Sequence, residues 1–119
     1  MASTFVSGLC SFLCFMLLVC AIKGVPSCNK VMENIGPCVN YLVIKNGTGT
    51  PSTDCCTGVK NLKGMANTTE NRRAICNCLE NEAAKIPQID PQAVKMLPEK
   101  CRVTLGFPIS LNTTCSSIQ

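Results

Sequence analysis

Two adjacent cysteines, Cys55 and Cys56, stand at the middle of the chain, with Cys28 and Cys38 before them and Cys76, Cys78, Cys101 and Cys115 after them. Neighbouring cysteines cannot easily bond to each other, so each ties this point to a different distant segment. That makes the middle of the chain a hub. A polypeptide too short to bury a large core needs such staples, and each stabilises by roughly 2–4 kcal/mol through restriction of the unfolded chain. Eight cysteines allow on the order of a hundred pairings, and spacing alone does not choose among them.

Eight is the count after the first stretch is set aside. Met1 is followed by an uncharged apolar run through Leu9, Phe12, Leu13, Phe15, Met16, Leu17, Leu18 and Val19, ending in small residues near Ala21. It reads as a secretory signal peptide over 1–21, cut at about Ile22. The competing reading is a membrane anchor, for which the run is short. Removing 1–21 takes Cys10, Cys14 and Cys20 from the total of eleven and leaves an even eight in 22–119. An even set fits secretion into an oxidising compartment.

The remaining residues 22–119 suit one small domain. All the charged side chains lie after the proposed cut, so the net charge stays +4. Apart from Arg72-Arg73 the basic residues are scattered and have no aromatic residues interleaved. Nucleic acid is therefore a poor expectation, and a mild attraction to acidic lipid or wall surfaces a better one. Phe5, Phe12 and Phe15 leave with the leader; Tyr41 and Phe107 are the aromatic residues that stay, and there is no Trp. An interior of Ile, Leu, Val, Met and Ala is deformable.

Enzyme chemistry finds little support. The sequence contains no His, which excludes Ser-His-Asp and Cys-His arrangements and any His-bearing zinc motif. Glu33, Glu70, Glu80, Glu82 and Glu99 suggest no acid–base dyad. No enzyme, metal or cofactor is expected.

Four helices are predicted. Ser27 or Asn29 caps the first, which gathers Val31, Met32, Ile35, Val39, Leu42 and Val43, and Pro37 bends it. Asn46–Ser52 is a loop. Asp54 is the expected cap of a second helix through Cys55, Cys56, Val59 and Leu62, where Gly58 and Gly64 signal close packing or fraying. Thr68 or Thr69 caps a third, carrying Glu70 in its first turn and running through Ile75, Cys78, Leu79, Glu82, Ala83 and Ile86 to Pro87. Asp90-Pro91 starts a short fourth with Ala93, Val94 and Leu97, stopped by Pro98. In the tail, Val103, Leu105, Phe107, Ile109 and Leu111 alternate at period two with no partner strand available. The expectation is an extended segment laid across the helices with one row facing inward.

The order C…C…CC…CxC…C…C, with Asn77 between Cys76 and Cys78, resembles the eight-cysteine framework of plant non-specific lipid-transfer proteins, type 1 branch, over essentially all of 22–119. The resemblance implies the pairs Cys28 with Cys78, Cys38 with Cys55, Cys56 with Cys101 and Cys76 with Cys115. It also implies an all-α, compact four-helix disulfide-stapled domain whose extended C-terminal tail closes a hydrophobic tunnel. Thr68-Thr69-Glu70-Asn71-Arg72 is similar to the family segment Thr-x-x-Asp-Arg, with Asn71 in place of the acid, and makes Arg72 the expected head-group contact. Gly106-Phe107-Pro108-Ile109-Ser110 is similar to Pro-Tyr-x-Ile-Ser, with Phe107 lacking the phenolic hydroxyl. Arg102 stands where relatives often carry Gly.

The expected function is that of a secreted carrier, extracellular or in the cell wall, which binds acyl lipids in an internal cavity and transfers them between membranes. Fatty acids, lysolipids or phospholipids are the expected cargo of a monomer that touches membrane surfaces transiently. Besides Arg72, the expected lining or core is Val31, Ile35, Val39, Leu62, Ile75, Leu79, Ala83, Val94, Leu97, Val103, Leu105, Phe107 and Ile109. Asn46, Asn67 and Asn112 head glycosylation sequons. The alternatives are a defence protein acting on microbial membranes or hydrolases, and an extracellular adhesion or signalling component.

Overall fold

Ser27 accepts a hydrogen bond from the Lys30 amide at 3.2 Å, which caps α1 (Cys28–Ile35). In this computed structural model residues 25–119 are described, and the leader expected over 1–21 lies outside the described residues. Pro37 has no amide to donate, so the helix tightens into a 3-10 turn over Gly36–Cys38 before resuming as α2 (Val39–Leu42). Together these pieces form the bent first helix.

Helix α3 (Thr53–Met65) is capped by Ser52, whose Oγ accepts from the Cys55 amide at 3.1 Å. This corrects the expectation that Asp54 is the cap: Asp54 lies inside the first turn, where its charge complements the helix dipole. The two glycines of α3 differ. A β-carbon on Gly58 would meet the Asn34 carbonyl oxygen at 1.7 Å, whereas Gly64 faces open space. Close approach of α1 and α3 at Gly58 is also marked by the Asn61 amide donating to Asn34 Oδ1 at 2.9 Å.

Thr68 caps α4 (Thr69–Ala83) through the Asn71 amide at 3.1 Å. The helix stops three residues before the expected Ile86, and the chain reaches Pro87 through turns in which Lys85 and Ile86 donate to the carbonyls of Glu82 and Ala83. Asp90 then caps α5 (Pro91–Lys100), accepting from the amides of Gln92 and Ala93 at 2.9 and 3.0 Å. The prediction that Pro98 stops this helix fails by two residues, since a proline near the end forfeits a single ladder bond. Termination comes instead from Arg102 at φ 57, with its amide on the Glu99 carbonyl and the Val103 amide on the Pro98 carbonyl. That is the Schellman arrangement, in which the left-handed position usually belongs to glycine. A β-carbon there costs about 1–2 kcal/mol.

Both ends of α5 are stitched to the 42–49 segment. The Asp90 amide donates to the Leu42 carbonyl at 2.8 Å. At the other end Lys100 Nζ donates to the carbonyls of Gly47 and Gly49 and sits 5.3 Å from the centre of the Tyr41 ring.

Four disulfides, Cys28–Cys78, Cys38–Cys55, Cys56–Cys101 and Cys76–Cys115, hold these helices together. They are the pairs that the family resemblance implies. Cys55 and Cys56 reach α2's start and α5's end respectively, so the hub lies in α3. Val31, Cys38, Cys55, Val59, Leu62 and Ile75 form the fully buried centre. The domain is all-α, with four helices when α1 and α2 are counted as one, and no strand occurs among the described residues. The tail has the expected alternation: Val103, Leu105 and Phe107 are buried, Ile109 and Leu111 half-buried, and the residues between Val103 and Phe107 exposed.

Candidate functional site

Residues 76, 79, 80 and 83 of α4 recur at helical spacing and put one face of that helix against Met32, Ile35, Val39 and Leu42 of the bent first helix. These faces do not close on each other. They leave a cavity of about 90 Å³, completed by Ile86 and Ile89 after α4, by Val94 and Leu97 of α5, and by Phe107, Pro108 and Leu111 of the tail. Its wall is predominantly apolar, as in sites that bind apolar ligands. The volume has room for several water molecules. A longer guest must displace flexible side chains, and Met32 is the most adaptable of the lining residues.

Polar atoms enter the wall through Glu80, Glu82, Ser110 and Thr113. Glu82 pairs with Lys85 at 3.0 Å, whereas Glu80 has no ion pair among the described residues. The Glu80 carboxylate lies within 4.8 Å of the Cys76 and Cys115 sulfurs, whose bond to each other leaves no thiolate for a metal. Ser110 and Thr113 hydroxyls bond each other at 2.7 Å. The charged side chains at this wall are therefore acidic.

The expected lining residues divide into three groups. Ile35, Val39, Leu79, Ala83, Val94, Leu97 and Phe107 line the cavity. Val31, Leu62 and Ile75 are in the filled core. Val103 and Leu105 line a separate open groove beside α5, and Ile109 is packed half-buried against the core. Met32, Leu42, Ile86 and Leu111 carried a periodic apolar signal without being assigned to the lining, and Ile89 carried none.

Arg72 is not at the cavity wall. Its guanidinium donates to the Gln119 carbonyl at 3.1 Å, while Arg73 Nε donates to the Ile118 carbonyl at 2.7 Å. Ile118, 5 % exposed, is an anchor that sequence pattern did not reveal. Arg72 Nε is buried without a hydrogen-bond partner among the described residues, 3.5 Å from the place a β-carbon of Gly106 would take. Asn71, in the position of the family's acid, does not face Arg72; its side-chain amide donates to Met65 O at 3.1 Å and Asn67 Oδ1 at 2.9 Å. It ties the α3–α4 connection instead.

Near the α5 start, the Ala93 amide is the main cause holding the Asp90 carboxyl below its ordinary value, joined by the Asn46 and Gln92 amides and by Lys45, with burial opposing. Burial pushes the Tyr41 phenol up, and the Asp90 charge adds to it. The buried Tyr41 hydroxyl has no hydrogen-bond partner among the described residues. Among the described residues no helix is long and apolar enough to cross a membrane.

Residues 28–115 match the model of the protease inhibitor/seed storage/LTP family. The chain is 44% identical over 91 residues to non-specific lipid-transfer protein 1 of Carum carvi, covering 76% of this chain and 97% of that one. Among solved structures it is similar to barley non-specific lipid transfer protein 1 in complex with lysophosphatidylcholine, at 32% identity and TM-score 0.70, covering 79% of this chain and all of the other. It is likewise similar to the wheat protein complexed with two molecules of phospholipid, at 36% identity and TM-score 0.68, covering 78% and 100% of the two chains. The eight-cysteine framework, the four-helix fold and these likenesses together establish that the chain belongs to the plant non-specific lipid-transfer proteins of the protease inhibitor/seed storage/LTP family.

Proposed function

We propose that this protein is a secreted, monomeric lipid carrier that takes up acyl lipids and exchanges them at membranes without covalent chemistry. The observation that carries the reading is the apolar cavity between α4, the bent first helix and the tail. An acyl chain entering it gains about 0.8 kcal/mol per buried methylene before the costs of binding are subtracted. Such a wall reads chain length weakly, which suits fatty acids, lysolipids and phospholipids alike. The solved barley and wheat relatives hold lysophosphatidylcholine and phospholipid, respectively.

Ile35, Leu79, Ala83, Val94, Leu97 and Phe107 contact the chain, joined by Met32, Val39, Leu42, Ile89 and Leu111. Val31, Leu62 and Ile75 support that wall from the core. Arg72 holds the end of the tail through its bond to the Gln119 carbonyl, which leaves its other guanidinium donors for a lipid head group. The leader over 1–21 directs secretion and is removed, and the exposed Asn46, Asn67 and Asn112 are the acceptor positions for glycans. The absence of His from the whole sequence supports a role without acid–base catalysis.

The test is to delipidate the oxidised 22–119 domain and measure binding of a fluorescent fatty acid and transfer of a fluorescent phospholipid between donor and acceptor vesicles. Saturable binding and transfer that are both lost on reduction are expected. A folded, oxidised domain showing neither would sink the reading.

A further inference from the structure

Between α5 and the start of the tail an open groove of about 610 Å³ is bounded by Lys95, Pro98 and Glu99 of α5 and by Arg102, Val103, Leu105 and Phe107. Phe107 is common to the groove and the cavity among the described residues, so it forms the wall between them. The two spaces differ in charge. The cavity wall carries the carboxylates of Glu80 and Glu82, whereas the groove carries the cations of Lys95 and Arg102 against one carboxylate, Glu99.

Arg102 is also held in place at a cost. It occupies the left-handed position at the end of α5, φ 57, where glycine is unstrained. Its guanidinium has no ion pair among the described residues. The other two arginines are engaged with tail carbonyls, Arg72 with Gln119 and Arg73 with Ile118. A planar guanidinium carries donors that match a phosphate two at a time, and Lys95 adds a second positive charge beside it.

We propose that this groove is the portal for an anionic single-chain lipid: its phosphate sits between Arg102 and Lys95, and its chain runs past Leu105 and Phe107 into the cavity. The proposal rests on the carrier reading. It places an acidic head group away from Glu80 and Glu82, which repel it, and beside the cations on the far side of Phe107. The hydrophobic row of the tail supplies the path between them.

The experiment compares dodecyl phosphate, dodecanol and inorganic phosphate as ligands of the oxidised domain, in wild type, Arg102→Gly and Lys95→Gln. Wild type is expected to bind dodecyl phosphate more tightly than dodecanol, with a preference that weakens as salt rises. Arg102→Gly, which removes the left-handed strain, should melt at the same temperature or higher while the preference for the phosphate falls about tenfold. Lys95→Gln should lower it in the same direction. An unchanged preference in both variants overturns the portal, as does inorganic phosphate competing as well as dodecyl phosphate, which would mark a free-anion site. Vesicle binding that falls in the variants with the dodecyl phosphate preference intact would assign the cations to a bilayer surface and overturn it too. If dodecanol fails to bind wild type, the carrier reading itself falls; dodecanol binding with no preference for the phosphate removes the portal alone.

Discussion

Gly58 and Asn34 are packed so closely that a β-carbon on Gly58 would come 1.7 Å from the Asn34 carbonyl oxygen. The obstacle is backbone, so it cannot swing away. Gly58→Ala must therefore push α1 from α3, and a loss of about 3 kcal/mol or more is expected in denaturant unfolding. Gly64→Ala, six residues along the same helix, where a β-carbon would meet nothing within 4 Å among the described residues, is the matched control. It should be neutral or stabilising by up to about 1 kcal/mol from helix propensity.

Ala83 offers a way to fill the cavity from the inside. It is half-buried at the end of α4 and lines the wall. Ala83→Phe should occupy space that cargo needs, and fluorescent fatty acid affinity is expected to fall by about tenfold, equivalent to one or two fewer buried methylenes at about 0.8 kcal/mol each. Circular dichroism should remain that of the parent, since the larger side chain has a void to enter. Full affinity in a folded variant would place the cargo elsewhere.

Asp90 gives the fold an acid-sensitive element. Its carboxyl is lowered from 3.8 in the native state, first by the Ala93 amide. A lowered native value means stability that is fully present above the unfolded value and lost as pH falls through the native one. The melting temperature of wild type should decline below about pH 4, as far as this group governs it. Asp90→Asn retains a capping oxygen and should show a shallower acid decline, with little change at neutral pH. Parallel curves would remove Asp90 as the cause.

Replacing Cys76 and Cys115 together by Ala should cost about 2–5 kcal/mol. Because Cys76 lines the cavity and Cys115 anchors the far end of the tail, lipid should also dissociate faster. Stopped-flow release of a fluorescent fatty acid checks this. A change in stability with an unchanged release rate would show that the tail's end is not involved in exchange.

The parts of the fold that were legible in the sequence are those decided locally. Ser27, Thr68 and Asp90 announce helix starts because a cap needs only a side-chain oxygen and amides two or three residues on. The alternation of Val103, Leu105 and Phe107 announces which side of the tail faces inward. Helical period says that Met32 and Leu62 both point inward, but not that one meets empty space and the other a filled core. That difference depends on what stands opposite. The same limit hid the contrast between Gly58 and Gly64, which turns on where Asn34 lies. A motif marks Arg72 as a polar contact, but not that one of its donors goes to the chain's own carbonyl at Gln119. Pro98 reads as a stop because of the bond it lacks, while the actual stop depends on Arg102 adopting a left-handed conformation unusual for its type.

The stitching of α5 to the 42–49 segment has a mechanical meaning. With Leu42 bonded to Asp90 at one end and Lys100 bonded to Gly47 and Gly49 at the other, helix and loop behave as a single stiff plate, further tied to α3 by Cys56–Cys101. The tail is built otherwise: between Val103 and Thr114 its backbone amides form, among the described residues, one main-chain bond, Phe107 to Leu105, and one bond to a side chain, Asn112 to Ser110. It is held by side-chain burial and by the bridges at its two ends. Such a segment can lift and reseat without breaking a hydrogen-bond ladder: it is a strap fastened at both ends, with only side-chain packing to hold its middle.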